Sequence, residues 1–467
     1  MTTVLTKDLA DELARHTTHQ SYGNLDGATV DAALDVLFDT LACALGGLFS
    51  PGVPQARAAL TAWGDGKATI WGTGETAPAP FAAVANAGAL HALDYDDTDD
   101  EVPLHAASVV LPALLADLEE NRPDCRGHEF LTSLIVGLDG AMRVGRAGGP
   151  KGSRGWNYSV VSGGMGAALA IARLRDWSAD QTVSLLGHQL AQTSGSLQSI
   201  IDGTLAKRFQ PAVVAKDVLF GAALAGAGID GPRNVFGGRA GFVNLYQDGT
   251  FHEDILLAGI ERAGYLTELS LKPYPACRFT HAPIDVMLQI RSAGITPEKV
   301  EHITFETSGQ AFNMTGRAYE PATANLVDAQ FCIAYTTSVA LHRGAVLIGD
   351  FAEQALRDPA VGGFAAERIS VRATEAVDFL SMAPVTAHVQ LRDGSAQTFV
   401  GTTVSGSPQS RLTAEQLKAK AADCFQHGGA TVTVDEVWDA VRRLSRDAPV
   451  SELLELLARP SKGPVSP

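Results

Sequence analysis

Apolar positions recur at three- and four-residue steps through most of the first 265 residues, the spacing of helices with one buried face. DGATVDAALDVLFDTLACALGGL (26–48) keeps this period and ends on glycines, a helix stop. VPQARAALTAWG (53–64) follows with a similar pattern, and PFAAVANAGALHALD (80–94) opens on a proline and is rich in alanine. Side chains that small predict helices whose backbones approach each other closely. PLHAASVVLPALLADLEEN, FLTSLIVGLDGAMRVGRAG and SVVSGGMGAALAIARLRD continue the helical period, and Ser178 stands as an N-cap before SADQTVSLLGHQLAQTSG. Near residue 265 the texture changes. VEHITFETSG (300–309), RISVRATE (368–375) and TAHVQLRDGSAQTFVG (386–401) alternate at period two, and Asp393-Gly394 marks a hairpin. A helical pattern, HAPIDVMLQIRSAG (281–294), lies among these strands. Helical period returns in LTAEQLKAKAADCF (412–425), where Thr413 and Gln416 have capping-box spacing, and in VDEVWDAVRRLS.

The expected fold is therefore mainly α: a large all-helical domain built from both chain ends (1–266 and 403–460), with a smaller α+β lid domain (267–402) inserted. The Pro/Gly/Ser-containing tail, 461–467, is expected to be disordered. No internal repeat is visible.

The chain has 467 residues, 46% hydrophobic and 19% charged, enough for a large core and more than one domain. No run of eighteen apolar residues would span a membrane. The start, MTTVLTKDLADELARH, lacks a signal-peptide core and is too acidic for a transit peptide. Five scattered cysteines without metal spacing fit reduced thiols in a cytoplasmic protein. A net charge of −16 argues against nucleic acid and anionic membranes as partners. An acidic chain that binds an acidic substrate must do so through a local basic pocket.

Three stretches carry candidate chemistry for such a pocket. IDGTLAKRFQPAVVAKDVLF (201–220) sets Lys207 and Arg208 among small and apolar residues, which points to partial burial against the usual reading of a solvated pair. A desolvated lysine beside arginine serves as a base or holds a carboxylate. HALDYDDTDDEVPLH (91–105) packs six carboxylates into residues 94–101, a run that repels itself unless cations, a metal or water compensate; the plain alternative is a solvated loop. His105 stands near the start of an apolar helix, a position that suits proton transfer near neutral pH, whereas His91 and His188 read as hydrogen-bonded core histidines. LKPYPACRFTH (271–281) has a proline-stiffened backbone from which Lys272, Arg278 and His281 project, or is an interdomain linker with incidental cations. Cys277 lacks an identifiable catalytic partner and reads as an inert thiol.

Other chemistries fit less well. DDTDD matches the magnesium-diphosphate pattern DDxxD, but no second aspartate-rich helix accompanies it. The same run lacks the central glycine of a calcium loop. GTGET (72–76), SGGMG (162–166) and GGLFSPG (46–52) do not make phosphate loops, and neither GxSxG nor HExxH occurs.

HALDYDDT, the downstream VVLPALLA, GTLAKRFQPA and KPYPACRFTH, in that order over residues 80–290, resemble the MmgE/PrpD family of 2-methylcitrate dehydratase, cis-aconitate decarboxylase and iminodisuccinate epimerase. The resemblance implies a homodimer, an active site between helical domain and lid, and neither metal nor organic cofactor. Carried over by position, Asp94 and Thr98 match the family's DxDDT, and His105 the histidine after it, with an extra residue and extra acids between. Lys207 matches the lysine of TxAKR, and Lys272 and His281 the ends of the K-x-Y-P…TH motif. The chain departs from the pattern at Asn157 and Gln210, where many members have histidine. It departs again at Cys277, where the decarboxylases place a histidine, and at Phe312, which stands where those enzymes carry an active-site tyrosine. These departures weigh against plain cis-aconitate decarboxylation, while Tyr158 offers a phenol beside Asn157.

The expectation is a cofactor-independent lyase of the 2-methylcitrate dehydratase type acting on a small di- or tricarboxylate. Asp94, Thr98, His105, Tyr158 and Lys207 are its catalytic set, and Asn157, Arg208, Lys272, Cys277, Arg278 and His281 bind substrate; no metal ligand is expected. Alternatives are an epimerase using Tyr158 and Lys207, a decarboxylase, and a non-catalytic carboxylate-binding protein.

Overall fold

The computed structural model describes residues 9–149, 155–247 and 250–463. They form a mainly α fold with a small α+β part, packed as two compact units. One comprises the described residues up to Ala92, Asp96–Leu269 and those from Leu417 on; the other comprises Leu93–Tyr95 and Ser270–Gln416.

In the first unit the helices Gly27–Gly47, Ala79–Leu90, Ala107–Asn121, Gly127–Gly148, Tyr158–Leu174, Ala179–Gln192 and Ala206–Gly226 supply most of the core. Helix starts follow local capping chemistry. Asp26 accepts a hydrogen bond from Thr29 N at 2.7 Å, and Ser178 Oγ accepts from Gln181 N at 3.3 Å. The alanine- and glycine-rich faces do what their size allows. Gly47 lies against the Ala89 carbonyl, and Gly166 against the Gly137 carbonyl, where a Cβ on either would collide with backbone. The Gly127–Gly148 and Tyr158–Leu174 helices meet at that second contact. Helix Ala206–Gly226 packs on Ala79–Leu90, Ala107–Asn121 and Tyr158–Leu174, so the elements flanking two of the three chemical stretches are direct neighbours. A short antiparallel hairpin, β1 (Ala68–Ile70) and β2 (Glu75–Ala77), interrupts the helices. Asn86 holds it by accepting from Trp71 N and donating to Thr69 O, each at 2.9 Å. The returning helix Ala414–Gly428 begins at the Thr413/Gln416 box and buries Lys420 against Asp39 at 2.6 Å.

The second unit is built on a four-stranded sheet of order β4-β3-β5-β6, with β3 Val300–Thr307, β4 Ile369–Ala373, β5 Val385–Leu391 and β6 Ala396–Gly401. β4 runs parallel to β3, while β5 pairs antiparallel with both β3 and β6. Period two is visible in burial after a register shift between Val300 and His302: Ile303, Phe305 and Thr307 point inward from β3. Asp393-Gly394 turns β5 into β6, with Gly394 at φ +86°, a conformation that glycine adopts without strain. Helices His281–Ser292, Ile333–Arg343 and Pro359–Arg368 pack with this sheet.

No helix among the described residues is long and apolar enough to cross a membrane. Of the tail expected to be disordered, Ser461 N donates to Gly72 O at 2.7 Å and Lys462 N to Gly429 O at 2.8 Å; residues 464–467 lie outside the described residues.

The backbone contact at Gly166 makes its lack of a side chain a stability requirement. Gly166→Ala should cost about 1–3 kcal/mol in urea unfolding, whereas Gly264→Ala, with open space around it, should stay within about 0.5 kcal/mol of the parent.

Candidate active site

The stretch 91–105 begins where helix Ala79–Leu90 tightens into a 3₁₀ turn, His91–Leu93. Asp94 follows at φ +53°, a left-handed conformation that aspartate tolerates better than most residues. That turn divides the acidic run between the units, with Asp94 in the second and Asp96–Asp99 in the first.

In the first unit Asp96 is fully buried between two imidazoles. His91 Nδ1 hydrogen-bonds Asp96 Oδ2 at 2.7 Å, and His105 Nδ1 lies 3.5 Å from the same oxygen. The rings of His91 and His105 meet edge to face, with centroids 4.8 Å apart. His105 Nδ1 also sits 2.6 Å from the Asp97 carbonyl. A carbonyl only accepts, so Nδ1 carries a proton and the lone pair of neutral His105 is on Nε2. The backbone N of His105 donates to Ser159 Oγ at 3.0 Å. The apolar helix starts at Ala107, so His105 precedes its first turn.

The carboxyl of Asp97, also buried, is pushed well above the usual range by burial first and by Asp96 second. Its Oδ2 accepts from Ala107 N at 3.3 Å. Thr98 is buried, its hydroxyl 3.5 Å from the Asp99 carbonyl. Asp99 is held by Arg146, Nε to Oδ2 at 2.7 Å and Nη2 to Oδ1 at 3.0 Å.

Around helix Tyr158–Leu174, Asn157 is the N-cap, its Oδ1 accepting from Ser159 N at 3.0 Å. Its amide Nδ2 donates to Gln210 Oε1 at 2.8 Å, and Gln210 Nε2 donates to Ser196 O at 2.6 Å. The two positions at which histidine is absent are thus joined by one amide–amide bond. Tyr158 is buried and its hydroxyl donates to the Gly149 carbonyl. Lys207 is half-buried in the first turn of helix Ala206–Gly226. Its neighbour Arg208 is buried, with Nη1 donating to Pro51 O at 2.7 Å. The two cations of the pair therefore have different surroundings.

The second unit gathers Asp94, Lys272, Cys277, Arg278 and His281. Lys272 is buried, donating to Asp94 O at 2.9 Å and lying 3.4 Å from Asp94 Oδ1. Any other carboxylate at Lys272 must compete with that one. Gln330 donates to the carbonyls of Leu93 at 2.9 Å and Pro275 at 3.0 Å, and Tyr95 to the Pro273 carbonyl at 3.0 Å. These bonds tie Leu93–Tyr95 to the proline-stiffened stretch. Cys277 is buried, and its backbone N donates to Gln330 O at 3.0 Å. Arg278 Nη1 donates to Ser405 O at 2.8 Å and lies 3.3 Å from His281 Nδ1. Guanidinium can only donate, so His281 accepts at Nδ1 and donates from Nε2 to Ala276 O at 3.2 Å. His281 is fully buried, its pKa held well below 6.5 by burial first, then by Arg278 and Lys272. Its contacts are those of a structural histidine. Phe312 is exposed on helix Gly309–Thr315.

Sequence reasoning passed over Asp96, Arg146 and Gln330, and treated His91 only as a core residue. The signal for Asp96 was its place in DYDDT just past a helix end; Arg146 and Gln330 left no local signal. Among the described residues, His91, Asp96 and His105 also form a group able to hold a metal ion, with donor atoms within 4.8 Å of one another. The Nδ1 of each histidine is engaged in hydrogen bonding, so a cation held through the Nδ1 of His105 would have to displace the proton given to the Asp97 carbonyl.

A sequence model of the MmgE/PrpD N-terminal domain matches residues 11–254, and one of the MmgE/PrpD C-terminal domain matches residues 274–445. Among relatives, the cis-aconitate decarboxylase-like protein oryM of Aspergillus oryzae is 27% identical over 467 residues, covering 96% of each chain. Cis-aconitate decarboxylase of Aspergillus terreus is 26% identical over 480 residues, covering 98% of this chain and 97% of its own. The human cis-aconitate decarboxylase is 22% identical over 408 residues, 84% of this chain and 82% of its own.

The buried His281 makes stability depend on pH in a defined direction. Below 6.5, its ordinary value, the unfolded chain takes up a proton that the folded chain refuses. Stability should fall as pH drops from there toward the depressed folded value, by up to about 1.4 kcal/mol per pH unit from this group. Urea midpoints measured across that window should decline less steeply for His281→Gln.

Proposed function

The chain belongs to the MmgE/PrpD family, and on that premise we propose that it is a lyase for a small tricarboxylate, working without metal or organic cofactor. Decarboxylation of the cis-aconitate class is its first reaction. The carbon–carbon bond to the departing carboxylate breaks, and its electron pair passes to carbon next to a second carboxylate. Carbon dioxide leaves, and one proton closes the reaction on that carbon. A cation that holds the remaining carboxylate stabilises the developing charge, and we assign that role to Lys207. The proton comes from His105 Nε2.

The observation that carries this reading is the His105 imidazole, its Nδ1–H given to the Asp97 carbonyl and Asp96 beside it. That arrangement puts the lone pair of neutral His105 on Nε2, the atom assigned to proton transfer, and the Asp96 carboxylate beside Nδ1 balances the charge when His105 is protonated. Decarboxylation asks for this one protonation. Dehydration asks for a base and a separate acid, and the Tyr158 hydroxyl, offered by the sequence for such a role, gives its proton to a backbone carbonyl. The names of the two relatives aligned along nearly the whole chain support the same choice. A second reading, dehydration of a 2-methylcitrate-like acid, is favoured by the Asn157–Gln210 amide pair, which replaces two groups of the family pattern and alters what the site can accept.

A proton NMR time course in D₂O separates the reactions. With cis-aconitate, the expected result is loss of carbon dioxide with a new alkene product carrying one solvent deuterium. Loss of hydroxyl from 2-methylcitrate instead would establish the second reading. Deuterium entering iminodisuccinate with its skeleton unchanged would make the protein an epimerase, and binding of all three acids without turnover would make it a carboxylate-binding protein. His105→Asn and Lys207→Ala should each lower turnover by roughly 10²–10⁴-fold, and either variant at parental rate removes that residue from the reaction. Activity should be unchanged in chelator.

A further inference from the structure

Of the three acids that follow Thr98, Asp99 is the one that is buried. It sits at the neck of a small loop. Asp99 N donates to Leu104 O at 2.9 Å, Leu104 N to Val102 O at 2.6 Å, and Glu101 N to Asp99 Oδ1 at 2.9 Å. The loop thus leaves and re-enters at one point, and the next residue is His105. Helix Gly127–Gly148 receives this loop with two consecutive residues. Gly145 presents bare backbone, and a Cβ there would lie 3.2 Å from Val102 and 3.4 Å from Leu104. Arg146 then reaches both Asp99 oxygens with two parallel N–H bonds, at 2.7 and 3.0 Å. Its other edge is fixed as well, by an ion pair with Glu268 and by the Tyr265 ring 4.9 Å beneath the guanidinium.

We propose that Arg146 and Asp99 form a clasp that positions His105, both of them acting as positioning residues. The proposal rests on the reading of His105 as proton carrier. A two-pronged bond sets orientation as well as distance, and Arg146 is held on both edges, so the loop neck is anchored in register with the helix. On its other side His105 is anchored by the bond from its backbone N to Ser159 Oγ. Between these anchors the ring has one placement, with Nδ1 on the Asp97 carbonyl. Misplacement by about 1 Å costs on the order of 10²-fold in rate, which is the scale of the benefit.

The test uses Asp99→Asn, which keeps size but loses the carboxylate, and Arg146→Lys, which keeps charge but loses the fork. Both should lower kcat by about 10–10²-fold and leave KM within about threefold. If Arg146 merely balances charge, Arg146→Lys keeps the parental kcat, and the clasp is refuted. A second readout needs no turnover. In protein labelled with ¹⁵N-histidine, assigned with His105→Asn, the His105 Nδ1–H resonance should be protected from exchange in the parent and lost in both variants. Its retention in both refutes the proposal, even if kcat falls. Its loss while the parent turns over none of the acids above leaves the clasp standing and the lyase reading refuted. Should either variant fold poorly, Gly145→Ala displaces the loop by a few tenths of an ångström without touching a charge, and should weaken the same resonance.

Discussion

Six carboxylates in the eight residues 94–101 cannot be buried together as anions, and much of the site's architecture follows from how each is neutralised. Asp94 has Lys272, Asp96 lies between two imidazoles, burial and the neighbouring Asp96 push the Asp97 carboxyl toward its neutral form, and Asp99 has Arg146. Asp100 is half-buried and Glu101 exposed. Each solution is of a different chemical kind, and each draws its partner from a different element. The stretch is therefore a junction. The helix end at His91, the left-handed turn at Asp94, the loop 99–104 and the helix start at Ala107 are all fixed by charge compensation in a region of low dielectric, where an unpaired ion is far more costly than in water.

Local pattern and long-range partnership were legible in the sequence to different degrees. Helical period, the caps at Ser178 and Thr413, the period-two strands and the Asp393-Gly394 turn depend on neighbours a few residues away, and they stand where the pattern put them. The β1–β2 hairpin was passed over because each strand is three residues long, too short for any period to show. His105 could be singled out from its flanking motif. Arg146, Gln330 and the Asp39–Lys420 pair could not, because their partners lie 47, 237 and 381 residues away and nothing in the intervening chain encodes the meeting. The same limit applies to charge. Lys207 and Arg208 look alike as adjacent cations, and only folding reveals that Arg208 holds the Pro51 carbonyl. Lys272 was expected to bind substrate, and Asp94 already lies against it.

Family and reaction are supported by different kinds of observation. Family follows from matches to both domain models and from alignment along nearly the whole chain. Reaction depends on a few atoms. A carbanion-forming step next to a carboxylate can end in loss of carbon dioxide, loss of water or inversion of a centre, depending on which proton carriers stand where. The His105 tautomer and the committed Tyr158 hydroxyl bear on that choice more directly than identity averaged over several hundred residues.

The hydrogen bond between the Asn157 and Gln210 side-chain amides also has a consequence for how the two positions can change. Each side chain supplies what the other needs: Asn157 the N–H, Gln210 the oxygen, with the remaining groups held by Ser159 and Ser196. Changing one position alone strands a buried or half-buried amide group of its partner. The two positions are therefore coupled energetically: a change at one alters the cost of a change at the other.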